Sequence, residues 1–459
     1  MHLGRPSRRL GPLWGWPRVA RRPYAVVQRN QETRTSQGTL MAIKIGGRTL
    51  AVVGVVAALA IAAGVVALNR GGDARPDPTK TALPDGALAE QWRSADLSGW
   101  GDTDSVLRMW ATDGPVVAVT TAGVWGFEAK TGKRRWKLQP PATSGAPCEA
   151  ASTPNNHGTA AVLYGSGAER CGKDLVVFDT HSGDVLWHKR VRAGEGSDPP
   201  RVSIGDKAVT VDSGEERGGT HLRYSVDGDK LSLPAIPKGR NCPDKTRWVQ
   251  SPTYTLAESL CADQLFAFDT QSGKHRWTRS LDGTHIPGTI VADSPLSVAS
   301  YVGDGKGLTT FTDKGKLQAD IDLPGAISDR PHLIDDSVLV TQVDGDDARF
   351  VAVNLKNGDE VWRNSSLIDG MAVGADDDQL LVLASIDARS KKHMPDGYDC
   401  QLVGLNRLNN EESDEGILPC AGVSSTIHDV VATDKIVYVL ADAREKDSAV
   451  RLTAYKRPR

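Results

Sequence analysis

GFEAKTGKRRW (Gly126 to Trp136), VFDTHSGDVLW (Val177 to Trp187), AFDTQSGKHRW (Ala267 to Trp277) and AVNLKNGDEVW (Ala352 to Trp362) are four copies of one pattern. Each is a short apolar strand, a turn closed by glycine (Gly132, Gly183, Gly273, Gly358) and, four residues later, a tryptophan (Trp136, Trp187, Trp277, Trp362). Alternating apolar residues before the turn fit a half-buried strand, and the acid or Asn at the third position can bond its own turn backbone. Glycine supplies the positive φ that closes such a hairpin. The indole offers a large ring with one polar N–H, suited to docking between adjacent sheets.

Weaker copies fill the gaps. Leu222-Arg-Tyr-Ser-Val-Asp-Gly and Leu308-Thr-Thr-Phe-Thr-Asp-Lys-Gly keep the strand and the glycine turn but lack the tryptophan, Leu402-Val-Gly-Leu-Asn keeps the strand, and Leu452-Thr-Ala-Tyr-Lys reaches the end of the sequence. Aligned at the first motif position, eight copies start at Gly126, Val177, Tyr224, Ala267, Thr310, Ala352, Gly404 and Ala454. Their spacing, 42 to 52 residues, is what a four-stranded propeller blade needs. One such unit cannot bury both faces of its sheet, whereas a ring of them does. Trp92-Arg-Ser-Ala-Asp-Leu reads as a tryptophan strand that has lost what precedes it, and residues 450 to 456 as a repeat that has lost its tryptophan strand. Together they make one blade from both ends of residues 89–459 and remove the exposed edges. The expected fold is therefore all-β, an eight-bladed propeller.

The motif is similar to the tryptophan-docking repeat of the PQQ-like (pyrroloquinoline-quinone repeat) propeller family, across about residues 90 to 459. That family includes quinoprotein dehydrogenases, the outer-membrane assembly lipoprotein of Gram-negative bacteria, and bacterial propellers attached to sensor or anchor segments. The resemblance implies the fold more firmly than an activity.

A quinone-dependent dehydrogenase needs a calcium site of carboxylates, a catalytic Asp and groups that hold the quinone, and many carry adjacent cysteines. This sequence has no adjacent cysteines and no Cys-x-x-Cys-His. The acidic clusters Asp344, Asp346, Asp347 and Asp376, Asp377, Asp378 lack the Asp-x-Asp-x-Asp-Gly calcium pattern and read as solvated turns. There is no Gly-x-Ser-x-Gly, no phosphate-binding loop and no His-Glu-x-x-His. The reading assigns no catalytic, cofactor-binding or metal-ligating residue, and neither PQQ nor calcium finds support.

Six cysteines fall in three near-neighbour pairs, Cys148 with Cys171, Cys242 with Cys261, and Cys400 with Cys420. Metal binding lacks the necessary spacing, so structural disulfides in an oxidising compartment are expected. All six are placed in loops on one face of the propeller, together with the long polar segments Pro140 to Asn156, Ser213 to Thr220 and Asp387 to Asp399. Loops held on a rigid scaffold are where recognition resides.

Net charge is −2, but residues 1 to 48 hold ten Lys or Arg against Glu32 alone, leaving about −12 for everything beyond Arg70. That sign argues against nucleic-acid binding by the main domain. Thr49 to Leu68 (TLAVVGVVAALAIAAGVVAL) is an uncharged run of bilayer length behind a basic flank, so residues 49–68 are expected to cross the membrane with the N-terminus cytoplasmic. A cleaved signal peptide is the competing reading, with Val65-Val66-Ala67 as its site. Met41 is an alternative start. Residues 1–48 then form a basic cytoplasmic segment and 69–88 a flexible linker. The sequence is read as a membrane-tethered, extracytoplasmic, non-catalytic scaffold with a protein partner in the cell envelope; a PQQ-dependent dehydrogenase and a ligand-binding sensory ectodomain are the alternatives.

Overall fold

The computed structural model describes residues 85–457, except 96, 98–105, 140, 142–143, 166–170, 192–199, 213–220, 238–245, 282–287, 301–306, 324–325, 328–330, 335–336, 345–349, 368–369, 376–377, 386–399, 420–426 and 443–449. The expectations for residues 1–84, including the Thr49 to Leu68 segment, lie outside these. Among the described residues no helix is long and apolar enough to cross a membrane.

Eight antiparallel sheets follow one another along the chain, and each is one blade. Strands are lettered A to D from the ring's inside outward. Blade 1 contains Val106–Ala111, Pro115–Thr120, Gly123–Glu128 and Arg134–Lys137. In blade 6 strand A is split into Ala326–Ile327 and His332–Leu333, both pairing with Val338–Asp344. Blade 8 takes strands A to C from Ile427–Ala432, Ile436–Asp442 and Val450–Lys456, and strand D from Ala89–Arg93 at the other end of the domain. Trp92 lies opposite Ala454, as the two half-repeats require. The chain is held even before this strand: Gly86 accepts from the Ile417 amide, and the Leu88 amide donates to the Ile417 carbonyl, 2.9 Å in both.

Each motif position does what its chemistry suggests. The first position sits in strand C opposite the tryptophan, as Gly126 opposite Trp136, Val177 opposite Trp187, Ala267 opposite Trp277 and Ala352 opposite Trp362. A bulge follows immediately in all four pairs, adding local twist. The third-position Asp179 accepts the His181 and Ser182 amides at 2.8 Å, and Gly183 closes the turn on the Asp179 carbonyl at φ +77°. Blade 7 has Asn410 in the glycine's place, at φ +57°, which Asn tolerates better than most residues.

The core is a ring of apolar seams between neighbouring blades. Strand B is buried along its length, as in Pro115–Thr120 and Thr159–Gly165. The seam between blades 1 and 2 packs Trp110, Val117 and Val119 against Ala160, Val162 and Phe178, and Trp92, Met109, Trp125, Tyr438 and Leu452 close the seam between blades 8 and 1. The mainly apolar B strands reflect burial on both faces, since each sheet is covered by a neighbour on either side.

Candidate functional site

The B–C loops and the connections between blades share one face, here the loop face; the A–B and C–D turns share the other, the turn face. Tryptophans lock the joints between blades. Trp92 of blade 8 lies on Gly132 of blade 1 and donates its indole N–H to the Ala129 carbonyl at 2.7 Å. Trp136 covers Gly183, and Trp277 covers Gly315. Trp187 donates to the Val226 carbonyl of blade 3 (2.7 Å), and Trp362 to the Arg407 carbonyl of blade 7 (2.8 Å).

Three joints lack a tryptophan, and sequence reasoning missed what fills them. Between blades 3 and 4, Ser232 stands at the tryptophan position and Arg223, 1% exposed, takes the role. Its guanidinium donates to the Ser232 carbonyl of its own blade at 2.6 Å and to the Thr270 carbonyl of the next, beside Gly273. Burial lowers the Arg223 pKa, and the charge of Asp269 works in the opposite direction. Between blades 5 and 6 the place belongs to Ala319 and Ile321, which approach Gly358. Between blades 7 and 8 a shielded ion pair joins Glu415 to Arg457 at 2.8 Å; Gln379 and Ser413 also donate to Glu415, and Arg457 donates to the Thr433 carbonyl. Burial alone would raise the Glu415 pKa, but these hydrogen bonds and the arginine charge hold it below its ordinary value. Arg223 was visible in the sequence only as a cation inside an otherwise apolar strand motif.

On the loop face, Cys148 and Cys171 form the expected disulfide, tying strand A of blade 2 (Ala146–Ala150) to its B–C loop. Cys261 and Cys400 are also disulfide-bonded, while Cys242 and Cys420 lie outside the described residues. The expectation that all six cysteines sit in loops needs correction. Cys148 lies within strand A of blade 2 and Cys400 opens strand C of blade 7 (Cys400–Asn406), because the blade's first and third strands start at that face. Likewise Pro140 to Asn156 is not one loop: Asn155 and Asn156 reach the turn face, where they bond the Gly205 carbonyl and the Asp206 carboxylate of blade 3. Ser213 to Thr220 and Asp387 to Asp399 lie outside the described residues.

A cavity of about 330 Å³ opens between blades 1 and 2 on this face, lined by Thr121, Gly123, Lys137, Pro147 and Tyr164 among others. The Tyr164 hydroxyl is sealed beneath it, and burial pushes its pKa up. A calcium-assisted quinone site would need converging carboxylates. Among the described residues no three His, Cys, Asp or Glu side chains converge on a point. Asp378 is an exposed turn residue, and Asp346, Asp347, Asp376 and Asp377 lie outside the description.

A closed ring of eight four-stranded sheets, five of its joints docked by tryptophan, defines a class, the PQQ-type repeat propellers. The chain belongs to the PQQ_2 family, whose model, described as outer membrane protein assembly factor BamB, matches residues 85–220 and 262–441. Among solved structures, BamB from Moraxella catarrhalis is similar at 16% identity and TM-score 0.47, over 80% of this chain and 97% of that one. The computationally designed Ika8 protein is similar at 11% identity and TM-score 0.50, over 79% and 98%. At such identities the likeness concerns the fold. No curated protein matches the chain.

Proposed function

We propose that the chain is a non-catalytic, extracytoplasmic scaffold, tethered to the membrane through Thr49 to Leu68, which binds a protein partner of the cell envelope through its loop face. The observation that carries this reading is the Cys148–Cys171 disulfide, which staples a B–C loop to the scaffold on the face where the long connections gather. A staple of this kind reduces the ordering that binding would otherwise require. Family membership supports a protein-binding role, and an oxidising compartment fits the disulfides. The test reverses the charges of Asp387 to Asp399 and follows partner capture by crosslinking in the envelope. Lost capture at an unchanged melting temperature is expected; undiminished capture after the same treatment of several loop-face segments would contradict the reading. Calorimetric titration with PQQ and calcium is expected to show no saturable binding, and micromolar binding would favour a dehydrogenase.

A further inference from the structure

The outermost strand of blade 1 and the turn before it carry Lys130, Lys133, Arg134, Arg135 and Lys137, all exposed. Among the described residues none of them has a carboxylate partner, and the nearby Glu128 carboxylate accepts from the Thr131 hydroxyl. Other rims differ. Arg93 pairs with Glu90 in blade 8 and Arg363 with Glu360 in blade 6, both at 2.6 Å, and Arg276 pairs with Asp269 in blade 4 at 2.8 Å. The strands Leu317–Asp322 and Glu412–Leu418 are acidic. Charge on an outer strand also discourages edge-to-edge pairing, but either sign serves that purpose. An uncompensated single-sign edge within a domain of about −12 calls for a further explanation.

The first strand of the ring, Ala89–Arg93, lies beside this edge, after the chain has joined blade 7 through Gly86 and Leu88. Trp92, in the first strand, rests on the Ala129 to Gly132 turn that leads into the basic strand. Gly86 is the first residue bonded to the ring, and the seventeen residues 69–85 separate it from the apolar run ending at Leu68.

We propose that this edge docks on anionic phospholipid headgroups, holding the tethered propeller against the bilayer by the rim of blade 1. The inference rests on the membrane-tethered reading, although its test does not. Each Lys or Arg at an anionic surface strengthens binding about fivefold. The described strands and seams lie within one compact unit, residues 81–459, which can be assayed without the apolar run. It is expected to co-sediment with phosphatidylglycerol-containing vesicles, less so as salt rises, and not with phosphatidylcholine vesicles. The triple variant Lys133→Glu, Arg134→Glu, Arg135→Glu should lose at least tenfold in binding, while Lys314→Glu, Lys316→Glu, Lys356→Glu, on the turns of blades 5 and 6, should match the parent. Should the first variant fail to fold, amine acetylation of the unaltered protein gives the same answer: vesicles should protect Lys130, Lys133 and Lys137 but not Lys314. Absent vesicle binding, equal loss in both variants, or binding to polyglutamate in place of vesicles would overturn the proposal. Carbonate extraction of the full chain tests the tether separately.

Discussion

Trp92 and Gly132 show how one contact serves both chemistry and closure. A Cβ on Gly132 would stand 2.2 Å from the Trp92 ring, at a φ of +66°. Gly132→Ala therefore meets steric overlap as well as backbone strain and is expected to cost about 2 to 4 kcal/mol. Gly273→Ala has a similar φ, +69°, but its nearest neighbour is the Arg223 guanidinium at 3.7 Å, so strain alone, about 1 kcal/mol, is expected. Urea unfolding of the two variants checks the ranking, and equal losses would mean that docking contributes little. Arg223→Met would leave the Thr270 and Ser232 carbonyls without their donor and is expected to cost about 2 to 4 kcal/mol, far more than replacing an exposed arginine.

At the scale of the blade, the repeat was legible because its turn chemistry and its docking residue sit at fixed offsets. Asp179, Gly183 and Trp187 each act through a neighbour a few residues away or on the adjoining sheet, so the pattern survives in the linear sequence. Arg223 and the Glu415–Arg457 pair were not legible, because each substitutes for tryptophan from a different position: Arg223 projects from strand C, and Arg457 follows it. The loop face was legible as a set of long polar connections, but the direction of each strand start was not, which is why Cys148 and Cys400 were misplaced into loops. Replacing Cys148 and Cys171 by serine is expected to cost about 3 kcal/mol, the value for a loop of this size, and to raise hydrogen exchange first in strand A of blade 2. Unchanged exchange there would separate the disulfide from the order of that strand.

At the scale of the ring, the joint between blades 7 and 8 carries a contact whose strength depends on pH. Glu415 titrates below its ordinary value in the folded state, so its pair with Arg457 contributes fully above the ordinary carboxylate range. That contribution is lost as pH falls below about 4.5, its ordinary value. Asp269 behaves in the same way: burial raises its pKa, but the Arg276 and Ser272 hydrogen bonds bring it to about 2, so its contribution fades from about 3.8 downward. Arg457→Met is expected to cost about 3 kcal/mol at neutral pH and to flatten the acid limb of the stability profile near pH 4. An acid limb identical to the parent's would place the sensitivity elsewhere. Removing residues 85–94 should be more severe, since it takes strand D from blade 8 and Trp92 from blade 1 together, and is expected to abolish cooperative unfolding.

The most direct test of the scaffold account places a photo-crosslinker in the envelope-borne protein at Gln139 and Lys173, on the loop face, and at Lys314 and Lys356, on the turn face. The account predicts one discrete protein adduct from the first two positions and none from the others. Adducts of equal yield from both faces, or none from either, would contradict it.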